Sequence, residues 1–304
     1  SSLLSLLGQT SVFPKSDCWS QGNVEAAIIQ SSAHKTPGPD GVTSELLMFA
    51  PPCLSVHLSL FFRAAEAHGY LPPELSRAAI HPVPKPGKDG SVLANYRPTA
   101  IGQSIGKIFE RCILLQYASY LQSSPLQFGF KSNSSTALCS MAVKAVAQHY
   151  VNRESKVYAC LLDAKKAYDC ADFYKIFKLL LLRGIPPSVV CLLLRWYENT
   201  RVIVQWGKRS SSVAFSPKHG VRQGGLLSPA FFAVLYDDLL ASVQLTGVGC
   251  RYGSQYYGAV AYADDICLLA PSLYALRKML EACESWSTRN HISFNPSKSV
   301  LLVF

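Results

Sequence analysis

The chain has 304 residues, of which 49% are hydrophobic and 16% are charged. Its 29 Lys and Arg against 19 Asp and Glu give a formal net charge of +10, which favours a polyanionic partner such as nucleic acid. The 10 cysteines are scattered singly without C-x-x-C pairs, which argues against a zinc ribbon and predicts small buried thiols in a reducing, intracellular compartment. Charges and prolines interrupt the longest apolar stretches, so we expect no membrane span. Because the sequence lacks an initial Met and a basic n-region, we expect a piece of a longer protein without a signal peptide.

The N-terminal half is predicted to be mostly helical. Helical segments are indicated by "SQGNVEAAIIQSS", with Ser20 as N-cap, by "PDGVTSELL", with Thr43 or Ser44 as N-cap, and by "LSVHLSLFFRAAEAHGY". Two extended segments, "AIHPV" and "NYRPTAI", flank a loop rich in Pro and Gly. Two further helices follow, and the second is expected to begin near Ser134 or Ser135.

The C-terminal half has a different pattern. The segment "KVYACLLD" is a nearly continuous apolar run that suits a central, buried strand ending in Asp163. Two helices, a hairpin over "RVIVQW" and "VAFSP", a helix that begins at Ser228-Pro229, an amphipathic helix and a last strand "SVLLVF" complete the pattern. Because strands and helices alternate without strict βαβ order, we predict an α+β fold with a mainly antiparallel sheet.

Two adjacent carboxylates, Asp264 and Asp265, separate predicted strands at Tyr257–Tyr262 and Ile266–Ala270. Taken alone, this pattern is also typical of a surface turn. If the hairpin lies beside the strand that ends in Asp163, three carboxylates converge at one end of a sheet. Like charges need compensation, and hard oxygen ligands suit Mg²⁺, which completes its shell with water and substrate phosphates.

Seven blocks in order carry a resemblance to a known family. The blocks are "KTPGPDG", "VPKPGKDG…NYRPTAIGQSIGKIFE", "QFGFKSNSST", "LLDAKKAYD", "HGVRQGGLLSP", "YADD" and "NPSKS". From about Lys35 onwards, the chain resembles the fingers and palm of a reverse transcriptase of the non-LTR (LINE-type) retrotransposon class. The resemblance implies a right-hand polymerase fold, with residues 1–155 mostly fingers (including an N-terminal extension and the first palm helix) and 156–304 mostly palm. The thumb that follows in this family is expected to be absent from this sequence.

The resemblance also implies roles for residues in the palm. It assigns metal binding and catalysis to Asp163, Asp264 and Asp265, with two Mg²⁺ ions as cofactors and Mn²⁺ as an alternative. The carbonyl of Ala164 is expected to face the metal that accompanies the incoming triphosphate. An aromatic ring at Tyr168 is expected to lie under the sugar and to exclude a ribose 2′-OH by its bulk.

Five further residues receive roles in the same way. The resemblance implies that Gln223 and Gly224 contact the nucleotide or the templating base. It assigns the triphosphate to Lys85 and Arg97, and a Lys point charge and an Arg fork suit phosphate oxygens. Lys298 matches a family lysine that could protonate the leaving pyrophosphate as a general acid.

Some positions depart from the family pattern. Thr99 and Ala100 replace the usual Ile and Ser after "YRP", and Lys131 and Asn133 replace an Arg and a Gly in the third block. None of these changes removes a predicted metal ligand, whereas the changes at Lys131 and Asn133 place the template contacts there in question.

The leading interpretation is RNA-directed DNA synthesis from a primer 3′-OH. The expected partners are an RNA template, a DNA primer, dNTPs and the thumb and endonuclease regions of a parent protein, in the nucleus and cytoplasm and without a membrane. A catalytically silent polymerase fold that only binds nucleic acid or protein is one alternative. A group II intron or retron-type enzyme is another, although the Arg222-Gln223 pair favours the retrotransposon class.

Overall fold

The computed structural model of the chain describes residues 17–207, 209–211 and 213–304. Among these residues, no helix is both long and apolar enough to cross a lipid bilayer. All of the cysteines have free thiols. The prediction that they are buried holds for five of them, whereas Cys53 is exposed and the others are partly buried.

The chain divides into two compact units, each built from two separated stretches. The first unit combines Ser1–Leu121 with Phe173–Ser228, and the second combines Gln122–Asp172 with Pro229–Phe304. The assignment of residues 1–155 mostly to fingers and of 156–304 mostly to palm is not tested by this division and stays a prediction.

The secondary structure of the described residues mixes helices and strands, as the α+β prediction requires. The helices, numbered α1 to α10 in chain order, are Gln21–Ile29, Ser44–Met48, Cys53–His68, Ser104–Gln116, Thr136–Val151, Ala167–Cys170, Phe173–Leu182, Pro187–Glu198, Ser228–Gln244 and Leu273–Asn290. The strands, numbered β1 to β10, are Ala78–Pro84, Tyr96–Gly102, Tyr158–Leu162, Val202–Trp206, Arg209–Ser210, Arg251–Tyr252, Gln255–Tyr256, Ala259–Tyr262, Asp265–Ala270 and Val300–Val303.

Hydroxyl side chains cap the N-termini of three helices at positions that the sequence predicts. Ser20, Thr43 and Ser135 each accept a hydrogen bond from the backbone N–H three residues later. The choice between neighbouring hydroxyls is thereby settled in favour of Thr43 over Ser44 and of Ser135 over Ser134. In each case the capping residue has extended backbone angles, which direct its oxygen toward the free N–H groups of the first turn.

The sheet of the first unit has the strand order β2-β1-β4-β5. The predicted strand pair around the Pro/Gly loop is confirmed, because β1 and β2 are antiparallel with Val83 opposite Arg97. Strand β4 then pairs with β1 in parallel. The predicted hairpin after residue 200 is shorter than expected, since β4 and β5 pair only at its tip and a single bridge joins Val202 to Phe215.

A stack of aromatic rings forms the core of the first unit. Trp19 stacks on Phe109 with 5.0 Å between ring centroids, and Phe109 stacks on Trp196 at 4.7 Å. The three rings come from separate segments and are at most 2% exposed. Ring stacking of this kind stabilises the core beyond the burial of apolar area. Because the rings come from different elements, the stack joins α4 to α8 and to the N-terminal segment.

Next to this stack, a carboxylate and a guanidinium share a largely apolar site. Glu110 is 4% exposed, and its Oε2 accepts a hydrogen bond of 2.9 Å from the backbone N–H of Leu226. Arg222 lies over the Trp196 ring and donates to the Thr200 hydroxyl. Burial raises the pKa of Glu110 and lowers that of Arg222, while the attraction between the two charges opposes both shifts. These contacts connect helix α4 to the loop before α9.

The second unit contains an antiparallel sheet with the strand order β10-β3-β9-β8. The prediction of a central strand ending in Asp163 is confirmed, because β3 lies between β10 and β9. Helix α10 packs on this sheet and buries Trp286 completely. This arrangement confirms the predicted mainly antiparallel sheet with helices.

We predict that Glu110→Ala lowers the free energy of unfolding by about 3–5 kcal/mol, because it leaves the Arg222 charge uncompensated in a site with little water. It also removes the acceptor for the Leu226 N–H. Chemical denaturation measures the effect. The matched control is Glu25→Ala at an exposed position of α1, which should change the stability by less than about 0.5 kcal/mol. Equal stability of the two variants would contradict a stabilising role for Glu110.

Candidate active site

Three carboxylates lie at one end of the sheet in the second unit. Strands β8 and β9 form a hairpin in which Tyr262 is paired with Asp265 around Ala263 and Asp264. Leu162, the last residue of β3, is opposite Ile266, so Asp163 leaves its strand beside the hairpin turn. The structure therefore brings the predicted acidic residues together.

Burial and neighbouring carboxylates raise the pKa values of the paired acids. The pKa of Asp264 is raised first by burial and then by the charge of Asp163. The pKa of Asp265 is raised by burial, by Asp264 and by Asp163, whereas Lys298 lowers it. The side chains thus interact electrostatically, and a cation between them would favour the ionised carboxylates.

The loop of the "NPSKS" block holds Asp163 from one side. Lys298 Nζ lies 3.6 Å from Asp163 Oδ2, and Asn295 Nδ2 donates to the same oxygen at 3.3 Å. The backbone N–H of Asn295 donates to the Asp163 carbonyl at 2.7 Å. Asn295 thereby fixes both the backbone and the carboxylate of Asp163, and nothing in the sequence singles it out except its place in the block.

The donor set suits a metal ion that is shared with a substrate. Among the described residues, no three His, Cys, Asp or Glu side chains are placed to enclose an ion by themselves. Mg²⁺ characteristically uses one or two carboxylates and fills its remaining positions with water and phosphate oxygens. The hydroxyl of Tyr236 is enclosed near Asp264 and Asp265 and has no hydrogen-bond partner among the described residues. The carboxylates of Asp163, Asp264 and Asp265 are oxygen donors that suit a divalent cation with several open coordination positions.

Ala164 and Tyr168 follow Asp163 directly. Ala164 forms an antiparallel bridge with Phe294, but the two hydrogen bonds of this bridge belong to neighbouring residues, so the Ala164 carbonyl is not used in it. The Tyr168 ring stacks on Phe232 with 4.4 Å between centroids and meets Phe130 edge-on at 5.9 Å. Aromatic neighbours thus hold the Tyr168 ring in place.

The remaining predicted residues of the second unit have defined surroundings. The Lys298 side chain is 67% exposed, and its ammonium group contacts Asp163. Lys131, where the sequence departs from the family pattern, donates to the carbonyls of Ser123 and Ser124 at 3.0 and 2.6 Å. Its ammonium group is therefore bound to the protein's own backbone.

In the first unit, Lys85 and Arg97 lie on the hairpin of β1 and β2. Lys85 Nζ donates to the Ala94 carbonyl at 2.9 Å, and its backbone N–H donates to Asn95. Arg97 is exposed, and its guanidinium has no hydrogen bond or ion pair among the residues that the structure describes. Arg97 is thus available to an anion, whereas Lys85 would have to leave its carbonyl.

The loop that contains Gln223 and Gly224 passes close to strand β2. The Ala100 N–H donates to the Gln223 carbonyl at 2.6 Å. Gly224 has φ of +117°, and a Cβ atom there would lie 2.4 Å from the Ala100 carbonyl oxygen. Glycine is therefore required at this position for both backbone angle and space.

A concave basic surface lies beside this loop in the first unit. Its cavity of about 350 Å³ is lined by Lys35, Lys107 and Arg111 together with several hydroxyl side chains. Partial burial lowers the pKa of Lys107 and of Arg111. Arg111 donates to Ser31, and the sequence blocks alone do not indicate that these cations share one cavity.

Comparisons with known proteins agree with this geometry. The chain is 28% identical over 298 residues to the RNA-directed DNA polymerase from mobile element jockey of Drosophila funebris, covering 92% of this chain and 31% of that protein. It is 25% identical over 266 residues to the retrovirus-related Pol polyprotein from type-1 retrotransposable element R2 of Popillia japonica, covering 87% of this chain and 36% of that protein. The chain therefore spans about a third of the length of these relatives.

Solved structures show the same fold. An apo telomerase structure from Candida tropicalis, truncated from its C-terminal domain, aligns with a TM-score of 0.56 at 14% identity, covering 88% of this chain and 58% of that chain. The predicted polymerase fold is confirmed by this similarity, and the predicted resemblance to non-LTR retrotransposon proteins is confirmed by the jockey and R2 relatives. The family model for reverse transcriptase (RNA-dependent DNA polymerase) matches residues 83–303, and the chain belongs to this family.

Proposed function

We propose that the chain catalyses RNA-templated addition of deoxynucleotides to a primer 3′-OH. The observation that carries this proposal is the convergence of Asp163 with Asp264 and Asp265 at one end of the sheet. The primer 3′-oxygen forms a bond to the α-phosphorus, and the bond from that phosphorus to the oxygen bridging to the β-phosphate breaks. Pyrophosphate leaves, and the proton of the 3′-OH is released.

The carboxylates and the Ala164 carbonyl supply the oxygen ligands for this chemistry. Two Mg²⁺ ions, with Mn²⁺ as an alternative, would lower the pKa of the primer hydroxyl and neutralise charge on the pyrophosphate. Lys298 lies beside Asp163 and is exposed, so its ammonium group can donate a proton to the leaving group. Positioning and electrostatics supply most of the acceleration in phosphoryl transfer.

Binding surfaces in each unit support a nucleic-acid substrate. In the second unit, an open groove of about 850 Å³ is lined by Asp163 and Asp265 and, farther along, by Lys144 and apolar side chains. We assign the primer end to this groove, since cations beside apolar surface suit a sugar-phosphate strand. The basic cavity of the first unit, which contains Lys107, suits phosphates of the RNA template.

The roles of four residues in the first unit remain part of this proposal. Lys85 and Arg97 bind the triphosphate, and the exposed guanidinium of Arg97 supports that role. Gln223 and Gly224 contact the nucleotide or the templating base, where the glycine backbone leaves room for close approach.

Since the chain spans about a third of its relatives, we propose that thumb and endonuclease regions of a parent protein complete the reaction. The free thiols support a reducing location, in the nucleus and cytoplasm.

A binding-only module is the less favoured alternative. A protein that only bound nucleic acid would gain nothing from gathering Asp163, Asp264 and Asp265 at one end of a sheet, where burial and neighbouring carboxylates raise the pKa values of Asp264 and Asp265. The jockey and R2 relatives likewise favour the retrotransposon class over a group II intron enzyme.

We predict that Asp264→Asn lowers the rate of nucleotide addition by about 10²-fold or more, because one carboxylate that would hold the metal ions is lost. Primer extension with Mg²⁺ on an RNA template measures the rate. The thermal midpoint should stay the same or rise, since the substitution relieves repulsion with Asp163 and Asp265.

The matched control is Asp89→Asn, which changes an exposed carboxylate of the first unit whose partner is Ser91. This variant should extend primers at the wild-type rate. Undiminished activity of Asp264→Asn would count against the proposed function.

We predict that Tyr168→Ala admits ribonucleotides, because removal of the ring opens the space that a 2′-OH needs. The ratio of kcat/KM for dNTP over rNTP should fall by about 10-fold or more, equivalent to about 1.4 kcal/mol. Steady-state kinetics with matched dNTP and rNTP pairs measures this ratio. Tyr70→Ala, at an exposed position outside the site, should leave the ratio unchanged. If Tyr168→Ala retains wild-type sugar selectivity, Tyr168 has no role in it.

A further inference from the structure

The turn that carries the paired carboxylates has an unfavourable backbone conformation. Ala263, between Tyr262 and Asp264, has φ of +57°, in the left-handed region that residues with a side chain rarely adopt. The backbone angles of Ala263 determine the direction in which the chain continues into Asp264 and Asp265. The turn would relax to a more common conformation unless other contacts held it.

One buried side chain makes those contacts. Gln127 is 0% exposed, and its Oε1 accepts a hydrogen bond of 3.0 Å from the Ala263 N–H. Its Nε2 donates to the Ala263 carbonyl at 3.1 Å. The same Oε1 also accepts from the Gly129 N–H at 2.8 Å. A side-chain amide offers a donor and an acceptor at fixed separation, so Gln127 binds both polar groups of one residue.

The backbone around Gln127 supports the same contact. The Phe128 N–H donates to the Ala261 carbonyl at 2.7 Å, and the Ala261 N–H donates to the Leu126 carbonyl at 2.8 Å. Gly129 lies so close that a Cβ atom there would be 2.3 Å from the Ala263 nitrogen. The segment from Leu126 to Gly129 thus packs directly against the turn at Ala263.

We propose that Gln127 is a positioning residue that holds the Ala263 peptide and so fixes the directions of Asp264 and Asp265 for metal binding. This inference rests on the proposed function, since it concerns the same carboxylates. Gln127 acts through Ala263 and is not itself a metal ligand. Loss of the amide should leave the sheet intact while allowing the carboxylates to adopt other directions.

The decisive variant is Gln127→Met, which keeps the length of the side chain and removes its hydrogen bonds. We expect half-saturation by Mg²⁺ to require about 10-fold more metal. We expect kcat to fall by about 10- to 100-fold, because small displacements of reacting groups slow a reaction by such factors. Primer extension over a range of Mg²⁺ concentrations measures both quantities, and Mn²⁺ titration of the protein alone measures binding without turnover. Gln244→Met, at an exposed position of α9, is the matched control and should behave as wild type.

Amide hydrogen exchange reports on the contact itself. In the wild type, the N–H groups of Ala263 and Gly129 should be protected, and Gln127→Met should remove that protection while Leu269 in β9 keeps its own. A merely structural role would lower the thermal midpoint without shifting the Mg²⁺ dependence. Gly129→Ala should displace the turn by a different route and shift the Mg²⁺ dependence in the same direction.

The outcomes separate this inference from the proposed function. If Gln127→Met is folded and loses the local protection but retains wild-type Mn²⁺ binding, Mg²⁺ dependence and kcat, the positioning role is overturned. If the wild type neither binds Mn²⁺ nor extends primers, the proposed function fails. The Gln127 contact fails independently if the Ala263 amide exchanges equally fast in the wild type and in Gln127→Met.

Discussion

The gathering of negative charge at one end of a sheet is the constraint on which the second unit depends. Asp264 and Asp265 are partly removed from water beside Asp163, and burial together with the neighbouring carboxylates makes their ionisation less favourable. Lys298 and the side-chain amide of Asn295 contact Asp163 and offset part of the electrostatic repulsion in the cluster. A cation bound between these carboxylates would reduce their repulsion further.

In the first unit, the same problem has a different solution. Glu110 and Arg222 are opposite charges in a largely apolar site, and each compensates the other while aromatic rings exclude water around them. Their contacts end at the Leu226 N–H and the Thr200 hydroxyl, so they define the path of the loop that carries Gly224. The charges are thus used for loop geometry, whereas the carboxylates of the second unit are left open to solvent and ligands.

Local patterns predicted the strands, most helix caps and the acidic residues, because each depends on neighbours in the sequence. The apolar run before Asp163 indicates a central strand, and Ser20 precedes a helix whose free N–H groups need an acceptor. The role of Gln127 could not be predicted in this way, since its partner Ala263 is 136 residues away and Gln127 resembles any polar residue next to an aromatic. The two units were not predicted either, because their boundaries depend on contacts between distant segments rather than on a linker.

The interleaving of the two units has a consequence for the order of folding. Strand β1 cannot complete its sheet until β4 has been synthesised, because Ala78 is paired with Val202. The second unit likewise needs residues from both sides of Phe173–Ser228. At roughly 5–20 residues per second, the ribosome would leave the first half of each unit without its partner for roughly 3–11 seconds. During that time apolar strand edges are exposed, and chaperone binding during synthesis is the expected protection against aggregation. Because each unit consists of two separated stretches, neither can be isolated by a single cut in the chain.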